Sequence, residues 1–367
     1  MVKSAYIHIP FCKSKCHYCS FVSFCDLSLK KDYLKTIAKE IIHFYEKEPL
    51  KTLYIGGGTP SLLDISEIEN IIRIFNFEAS PEITMELNPE DVFFDYMRGL
   101  YDVGINRISL GCQTFDDKIL KLINRRHNSV DVINAVKIAQ QVGFKNINLD
   151  FIYGLPGQSQ DMFYSDLKKA IELDVPHISL YGLKLEQGSY FYSNLPENLP
   201  DDDEQADMYI SAVELLTSSG FEHYEISNFS LDGYNSQHNL NYWNNNEYYG
   251  FGVAAHGYKN GVRYGNKEDI SSYLLNPIEK RESKILSIRE ILEEEIFLGL
   301  RRMKGINISD INFKYGINFL EKYNDILKKY EGLNLLTKTE EGYAFTINGI
   351  LVSNVILADF LDDSESD

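Results

Sequence analysis

The chain lacks any apolar run approaching the roughly 20 residues that a membrane-spanning helix needs. It also lacks a signal-peptide pattern, because the first residues after Met1 lead directly into a strand-like segment. Basic residues are in the minority, with 36 Lys and Arg against 54 Asp and Glu and a formal net charge of −18. This charge argues against nucleic acid or an anionic membrane surface as the main partner. We expect a cytoplasmic protein with an acidic tail over 359–367.

Cysteine is also scarce, with five in 367 residues. An odd, clustered set does not fit a secreted disulfide framework. Cys12, Cys16 and Cys19 form a C-x3-C-x2-C run, and three thiolates can hold three irons of a four-iron cluster. The fourth iron would then be open to a small molecule. Zinc is the alternative, but the chain has no second cysteine pair, so His8 or His17 would have to complete that site.

Short apolar segments alternate with helix-period segments as far as about residue 185. Apolar residues recur every three or four positions over 34–45, 64–75, 130–142 and 161–173, as expected for amphipathic helices. The predicted strands cover 5–9, 52–56, 82–87, 107–112, 146–153 and 177–183. Six βα units predict a parallel sheet with outer helices, which forms either a full or partial barrel or an open sheet.

The pattern changes beyond residue 185, so we expect three regions. The first is the α/β core over 1–185, and the second is an extension over 186–285 that is rich in Asn and aromatic residues. The third is a smaller, mostly helical C-terminal domain over 286–367. Its predicted helices over 291–300 and 319–330, with a terminal hairpin over 335–347, resemble a winged helix in outline. The acidic surroundings argue against DNA binding.

Glycine and polar residues gather where the predicted strands end, which is where ligands bind in parallel α/β folds. The glycines let the backbone approach a ligand closely, and a buried polar side chain needs a partner. A tight turn, a helix-start carboxylate and a surface arginine are the plainer interpretations of Gly57, Glu86 and Arg125. The residues in question are Gly57, Gly58, Thr59, Glu86, Gln113, Arg125 and Asp150.

The segment 237–243, QHNLNYW, contains the only tryptophan of the chain. His238 with Tyr242 and Trp243 would offer an axial iron ligand and a stacking surface for a flat macrocycle. On these residues alone, the favoured interpretation is a structural loop whose His and Asn side chains hydrogen-bond the backbone.

Together these motifs resemble the radical S-adenosylmethionine (SAM) family. More narrowly, they resemble the group that contains oxygen-independent coproporphyrinogen III oxidase, an enzyme of porphyrin biosynthesis, and its heme chaperone relatives, the HemW proteins. The resemblance covers nearly the whole chain and implies a partial (β/α)6 TIM-like barrel with a smaller helical C-terminal domain. It is carried by 6–19, 56–60, 86–89, 110–113, 125–127, 150–157, 238–243 and 298–301.

The resemblance implies a [4Fe-4S] cluster on Cys12, Cys16 and Cys19, with SAM bound beside it. A reductant such as flavodoxin or ferredoxin would supply the electron that cleaves SAM to a 5′-deoxyadenosyl radical. The implied SAM contacts are Tyr6, Tyr18, Gly57, Gly58, Thr59 and Glu86. Gln113, Arg125 and Asp150 match residues that contact a second SAM molecule in the oxidase.

Two features separate the oxidase from the chaperone. Phe21 stands where the oxidase has a fourth cysteine, and the N-terminal extension of the oxidase is missing. His238 belongs to an HNxxYW match that is typical of the chaperone branch, which implies that His238 binds heme. The resemblance thus implies a heme chaperone, a monomer or dimer, that passes heme to respiratory hemoproteins, with peripheral contact with membrane proteins. The alternatives are the oxidase, which makes protoporphyrinogen IX, and a zinc-stabilised scaffold, so enzymatic activity is left open.

Overall fold

The computed structural model describes residues 1–361, and the last six residues of the predicted acidic tail and C-terminal domain lie outside it. The six predicted βα units form the centre of the fold, and consecutive strands pair in parallel. The strands are β1 (Ser4–Ile9), β2 (Leu50–Gly57), β3 (Phe77–Leu87), β4 (Arg107–Gln113), β5 (Asn146–Tyr153) and β6 (His177–Gly182). Their helices are α1 (Lys30–Phe44), α2 (Ile65–Ile72), α3 (Phe94–Asp102), α4 (Asp117–Leu122), α5 (Ser129–Val142) and α6 (Gln160–Glu172).

The extension adds strands to both edges of this sheet. β7 (Glu222–Glu225) and β8 (Asn228–Ser230) continue it antiparallel beyond β6, whereas β9 (Tyr249–Phe251) runs parallel to β1. The order is β7-β8-β6-β5-β4-β3-β2-β1-β9, and within residues 1–361 the two outer strands do not pair with each other. The predicted partial barrel is therefore confirmed.

The other elements lie in the extension and the C-terminal region. The extension contains α7 (Tyr190–Ser193), α8 (Asp202–Ser218), α9 (Gln237–Trp243) and α10 (Ile270–Leu275), with a second sheet of β10 (His256–Lys259), β11 (Val262–Gly265) and β12 (Glu282–Ile285). The C-terminal region contains α11 (Ile288–Leu300), β13 (Ile306–Asn307), α12 (Ile308–Tyr315), α13 (Phe319–Lys322), α14 (Asn324–Gly332), β14 (Leu336–Lys338), β15 (Gly342–Phe345), α15 (Ile347–Leu351) and α16 (Ser353–Ala358). No helix of the described chain is long and apolar enough to cross a membrane.

Two details of the C-terminal region differ from the sequence prediction. The single helix predicted over 319–330 is two helices that meet at Tyr323, whose ring packs between Phe319 and Phe360 at 4.7 and 5.3 Å. The predicted hairpin forms, but it is not terminal, because α15 and α16 follow it. β13 adds a third strand to it. The boundaries at 185 and 285 stay predictions.

The parallel strands have one apolar and one polar face. In β1, Ala5, Ile7 and Ile9 are fully buried among the core residues that also include those of α1, while Tyr6 and His8 lie on the opposite face, as strand alternation requires. The other strands repeat this pattern, and we call the concave polar face the barrel interior. Its inward residues include Ser4, Tyr6, His8, Thr52, Tyr54, Thr84, Glu86, Arg107, Ser109, Asn148, Asp150, His177 and Ser179.

Candidate cluster and cofactor site

The three predicted cluster cysteines lie in the loop that leaves β1. Cys12 is buried, whereas Cys16 and Cys19 are half-buried. The Cys12 amide donates to the Phe24 carbonyl at 3.0 Å, and the Cys19 amide donates to the Cys16 carbonyl at 3.2 Å, so the loop folds back on itself. Burial raises the pKa of Cys19 to about 11, and the nearby thiols of Cys16 and Cys12 raise it further. The loop therefore brings the three cysteines to the carboxyl end of β1.

The chain segment after α4 holds the cysteine loop in place. The His17 amide donates to the Ile123 carbonyl at 3.1 Å, and His17 Nδ1 lies 2.9 Å from the Leu122 carbonyl oxygen. Asn124 Nδ2 donates to the Lys15 carbonyl at 2.8 Å. These contacts join residues more than a hundred positions apart, so the loop is fixed against the barrel.

Arg125 is not the surface residue that the sequence left as an alternative. Its Nη1 donates to Cys16 Sγ at 3.6 Å, and its Nη2 donates to Asn88 Oδ1 and to the Gly111 carbonyl, both at 2.8 Å. The nearby Tyr18 and Cys16 raise the pKa of Arg125 further above its usual value, against the effect of burial. A guanidinium in this position stabilises negative charge on sulfur and orients a ligand, as partners of metal ligands do.

The glycine run after β2 lies against the cysteine loop. A side-chain carbon at Gly58 would lie 2.7 Å from the Phe11 carbonyl oxygen and 3.0 Å from Cys12 Sγ. Gly57 has φ +115°, and a side-chain carbon there would lie 2.6 Å from the His8 ring. Thr59 Oγ1 donates to Cys12 Sγ at 3.6 Å. The run is thus more than a tight turn, because it brings backbone into contact with the candidate cluster ligands.

Glu86 lies beside the same glycines, inside the barrel. Its carboxylate accepts from Tyr54 OH and from the Gly57 amide, both at 2.9 Å. Burial raises its pKa to about 7, and Asp150 adds to the rise. Glu86 therefore changes its charge near neutral pH, which suits a carboxylate that binds a cationic ligand group.

Gln113 and Asp150 occupy different depths of the barrel. Gln113 ends β4 with φ +68°, a conformation that non-glycine residues rarely adopt. A side-chain carbon at Gly111 would lie 2.9 Å from Gln113 Nε2 and 3.0 Å from Arg125 Nη2, so these two side chains converge there. Asp150 lies deeper and accepts from Ser109 Oγ and Asn148 Nδ2, both at 2.8 Å, and burial raises its pKa.

Of the two predicted tyrosine contacts, Tyr6 lies on β1 and Tyr18 lies within the cysteine loop. Tyr6 OH lies 3.0 Å from His8 Nδ1, and His8 Nε2 lies 2.9 Å from the Val22 carbonyl oxygen. Tyr18 lies in the loop itself, where the charges of Cys16 and Arg125 act on its hydroxyl. Both ring nitrogens of His8 therefore have partners, so His8 is not free to complete a zinc site.

The residues present fit a cluster with SAM beside it. The described residues contain no group of three or more His, Cys, Asp or Glu side chains that could hold a metal ion between them. Cysteine thiols are the usual ligands of iron–sulfur clusters, in which each cysteine binds a separate iron. The backbone contact at Gly58 and the carboxylate of Glu86 lie next to these thiols, at the carboxyl ends of the strands.

His238 lies at the other end of the barrel, on α9. Thr52 Oγ1 is 2.8 Å from its Nδ1, and Tyr242 OH is 2.8 Å from its Nε2. The side chain is 1% exposed, and burial lowers its pKa to about 3. Tyr242 follows His238 by four positions on a helix rather than in the loop that the sequence favoured. In this arrangement both ring nitrogens already have partners.

The distance between the two ends follows from the strand register. Thr52 pairs with Ser4, the first residue of β1, whereas the cysteine loop follows its last residue, Ile9. At about 3.3 Å per residue, these ends are about 16 Å apart. Glu82 fixes α9 at the lower end, because its carboxylate accepts from the amides of Gln237 and His238 at 3.0 Å. The sequence therefore placed most of its candidates at one edge correctly, but His238 is not among them.

The lower end of the barrel is formed by the amino-terminal ends of the strands. Two cavities lie there. One of about 570 Å³ is lined by Thr52, Leu240 and Asn241 among others, and one of about 260 Å³ is lined by Glu82 and Asn146 among others. Lys51 and Gln237 line both, and Lys51 Nζ donates to Gln237 Oε1 at 3.2 Å. The helix that carries His238 thus borders both cavities.

The site that the cysteine loop, the glycine run, Glu86 and Arg125 form is called the upper site below. Two of its residues were not predicted from the sequence. Asn88 Nδ2 donates to Thr59 Oγ1 at 3.3 Å while its Oδ1 accepts from Arg125, so it connects the glycine run to the arginine. His8 supports Tyr6 and lies under Gly57. Strand alternation places His8 on the face of Tyr6, so that signal was available. Nothing in the local sequence indicated the role of Asn88.

Comparisons with known proteins agree with this geometry. A model of the Radical SAM superfamily matches residues 6–170, and a model of the HemN C-terminal domain matches residues 286–352. The solved structure of coproporphyrinogen III oxidase (HemN) from Escherichia coli, a radical SAM enzyme, has a TM-score of 0.87. It covers 98% of this chain and 90% of its own at 22% identity, so that likeness shows the fold alone.

Two curated relatives match along their whole length. The heme chaperone HemW of Lactococcus lactis is 39% identical over 370 residues, which cover 98% of this chain and 97% of the relative. The heme chaperone HemW of Bacillus subtilis is 36% identical over 378 residues, which cover 99% of this chain and all of the relative. The chain therefore belongs to the radical SAM superfamily and, within it, to the family of HemW heme chaperones.

Proposed function

We propose that this protein is a heme chaperone that binds a [4Fe-4S] cluster, SAM and heme, and delivers the heme to hemoproteins. The observation that carries the proposal is the end-to-end similarity to the HemW protein of Lactococcus lactis, at 39% identity over 98% of the chain. The oxidase shares the fold at only 22% identity, and Phe21 stands where its motif continues with a cysteine. The chaperone is therefore favoured over the oxidase.

The upper site supports the assignment of the first two cofactors, which membership of the superfamily implies. Cys12, Cys16 and Cys19 would hold the cluster, which when bound supplies the electron for reductive cleavage of SAM. The protein itself contributes position and charge, because Thr59 and Arg125 donate to two of the sulfurs. Bound SAM would lie against Gly57, Gly58, Thr59 and Glu86, with Tyr6 and Tyr18 at the sides.

A second SAM molecule has weaker support from the geometry. Arg125 already donates to Cys16, Asn88 and Gly111, and Asp150 already accepts from Ser109 and Asn148. Both side chains would have to exchange partners to bind a further ligand. We therefore propose that Gln113 and Arg125 complete the first SAM site, and that Asp150 acts on it from one layer deeper.

Glu86 gives the SAM site a predictable pH dependence. Its raised pKa of about 7 means that the carboxylate gains its charge as the pH rises through 7. If it binds the cationic amino group of SAM, affinity should increase from pH 6 to pH 8 by up to about tenfold, since each pKa unit is worth about 1.4 kcal/mol. Equilibrium dialysis with labelled SAM measures this. Glu86→Gln is the matched control and should bind weakly without that pH dependence; a parallel rise in both proteins would contradict the role.

We propose that heme binds at the lower end of the barrel, next to α9. The cavity of about 570 Å³ lies against this helix, and Thr52, the partner of His238 Nδ1, lines it. Lys51 lies at the same cavity and offers positive charge for a heme carboxylate, whereas Lys3 there is paired with Glu78 at 2.6 Å. His238 would become an iron ligand only by giving up a hydrogen bond, with Tyr242 or with Thr52.

The partners follow from the proposed role. A reductant such as flavodoxin or ferredoxin would deliver the electron to the cluster, and respiratory hemoproteins would receive the heme, through peripheral contact with membrane proteins. We expect the protein to act in the cytoplasm as a monomer or dimer.

One anaerobic sample with a reconstituted cluster tests the proposal against the oxidase. We expect stoichiometric heme retention with a shifted Soret band, and no protoporphyrinogen when coproporphyrinogen III, SAM and a reductant are supplied. Accumulation of protoporphyrinogen with consumption of SAM would show the oxidase instead. A protein without a Soret shift or retained heme would not be the chaperone proposed.

A further inference from the structure

Arg107 is the largest fully buried side chain of the described protein, and it has no hydrogen-bond partner there. It opens β4, points into the barrel interior and is 2% exposed. It donates no hydrogen bond and makes no ion pair with any described residue, and its Nε is buried without a partner. Burial raises the pKa of the Glu86 and Asp150 carboxyls and the charge of Arg107 lowers it, but neither carboxylate bonds to the guanidinium. A buried guanidinium whose donors make no hydrogen bonds is costly, so such a residue calls for a ligand.

Two neighbours of Arg107 share this property. Thr84 on β3 and Asn146 on β5 pair with Arg107 in register, so the three side chains form one row across adjacent strands, about 4.8 Å apart. Thr84 Oγ1 and Asn146 Oδ1 are also buried without a hydrogen-bond partner. We call these three residues the middle row.

The residues around the middle row are in contrast fully engaged. Above it, Glu86 accepts from Tyr54 and Gly57, and Asp150 accepts from Ser109 and Asn148. His177, in the row of Ser109 and Asn148, lies between Asn148 at 2.6 Å and Tyr224 at 2.8 Å. Below the middle row, His238 lies between Thr52 and Tyr242. Within the six parallel strands, the buried side-chain atoms without a hydrogen-bond partner therefore all belong to the middle row.

The chemistry of the middle row selects an anionic, oxygen-rich ligand group. A guanidinium offers a planar fork of donors that matches a carboxylate, and the Thr84 hydroxyl adds a further donor. Asn146 also lines the cavity of about 260 Å³, so the row can be reached from the lower end of the barrel. The SAM site lies above the row at Glu86, and the proposed heme site lies below it.

We propose that Thr84, Arg107 and Asn146 form a carboxylate-binding site in the barrel interior, between the two cofactor sites. The proposal deepens the proposed function and rests on it, because the carboxylate belongs to a bound cofactor. Two sources share this chemistry, namely a propionate of heme from below and the methionine carboxylate of SAM from above. Arg107 is the group that binds it and the Thr84 hydroxyl donates to it, whereas Asn146, whose free atom is the acceptor Oδ1, borders the site on the side of the guanidinium.

Paired ligands test the site on the anaerobic, cluster-loaded protein. Wild type, Arg107→Met and Thr84→Val are titrated with heme and heme dimethyl ester, and with SAM and decarboxylated SAM. If heme is the source, wild type should bind heme at least about tenfold more tightly than the ester, since a hydrogen bond to a charged group is worth about 1.5–3 kcal/mol. Arg107→Met should lose that preference, and Thr84→Val should reduce it severalfold. If SAM is the source, wild type should instead bind SAM at least about tenfold more tightly than decarboxylated SAM. Arg107→Met should then lose this preference, and Thr84→Val should reduce it severalfold.

The melting temperature separates a binding role from a structural one. Without heme and SAM, Arg107→Met should melt at or above the wild-type temperature, because it removes a buried guanidinium that makes no hydrogen bonds. An arginine that merely supports the fold would give the opposite shift. Equal carboxylate preference in wild type and both variants, for both ligand pairs, overturns the proposal. If wild type binds neither heme nor SAM, the proposed function fails, and the site fails with it.

Discussion

A Cys12→Ser variant should retain less than about a tenth of the wild-type cluster iron after anaerobic reconstitution, a loss that even outer partners of metal sites approach. In the proposed site three thiolates hold the cluster, so removal of one would leave two irons without a protein ligand. Cys12 is also the cysteine that Thr59 and the glycine run contact. Chemical analysis of iron and sulfide, together with the visible charge-transfer absorbance of the cluster, measures how much cluster is lost.

Cys25→Ser is the matched control. Cys25 lies in the same part of the chain, directly after Phe24, whose carbonyl accepts from Cys12, but its side chain is exposed. We expect this variant to keep its iron. Equal iron in the two variants would contradict the assignment of Cys12, and zinc in both preparations would favour the scaffold instead.

A His238→Ala variant should unfold more easily by about 2–4 kcal/mol, because it removes a partner from each of two buried hydroxyls, one of which keeps Ser4 Oγ as its other partner, and creates a cavity. These hydroxyls belong to Thr52 and Tyr242. Chemical denaturation of the ligand-free protein measures the change in the free energy of unfolding. No loss of stability would contradict the contacts that the structure shows.

The lowered pKa of His238 also predicts that the folded protein loses stability in acid. The pKa of His238 is lowered to about 3 in the folded protein, against about 6.5 in the unfolded chain. The unfolded state therefore binds more protons between these values, and its population increases as the pH falls below about 6.5. In His238→Ala this contribution is absent, so its stability should fall less steeply between pH 6.5 and 4.5 than that of wild type.

Tyr242→Phe separates the structural role of His238 from heme ligation. It removes one hydrogen bond, worth about 1 kcal/mol, and leaves Nε2 of His238 without that partner. If Nε2 binds the heme iron, Tyr242→Phe should bind heme at least as tightly as wild type, whereas His238→Ala should lose the His-ligated Soret band. Unchanged heme spectra in His238→Ala would assign iron ligation to another residue.

Much of the upper site was predictable because parallel strands bring their carboxyl ends to one edge. The apolar runs located all six central strands, so Gly57 and Glu86 were correctly placed before any contact was known. The polar interior was not predictable in the same way. Buried strands are expected to be continuously apolar, and Arg107 at a strand start gave no sign of its direction until the register was known.

Contacts between residues that are far apart in the sequence were the other feature that could not be predicted. His238 and Tyr242 are four residues apart, so their contact on one helix follows from local geometry. The contact of His238 with Thr52 joins residues 186 positions apart, and no periodic pattern in the sequence predicts such a contact. The break at Tyr323 similarly depends on Phe360, a residue beyond the predicted hairpin.

The open barrel, with its cofactor edge and its α9 edge on one set of strands, has a thermodynamic consequence. A shift of the middle row on binding of one ligand would couple the two proposed sites, because both are built on the same six strands. Such coupling is reciprocal: if SAM tightens heme binding by some factor, heme must tighten SAM binding by the same factor. The cluster end would then sense whether cargo is present without any reaction taking place on it.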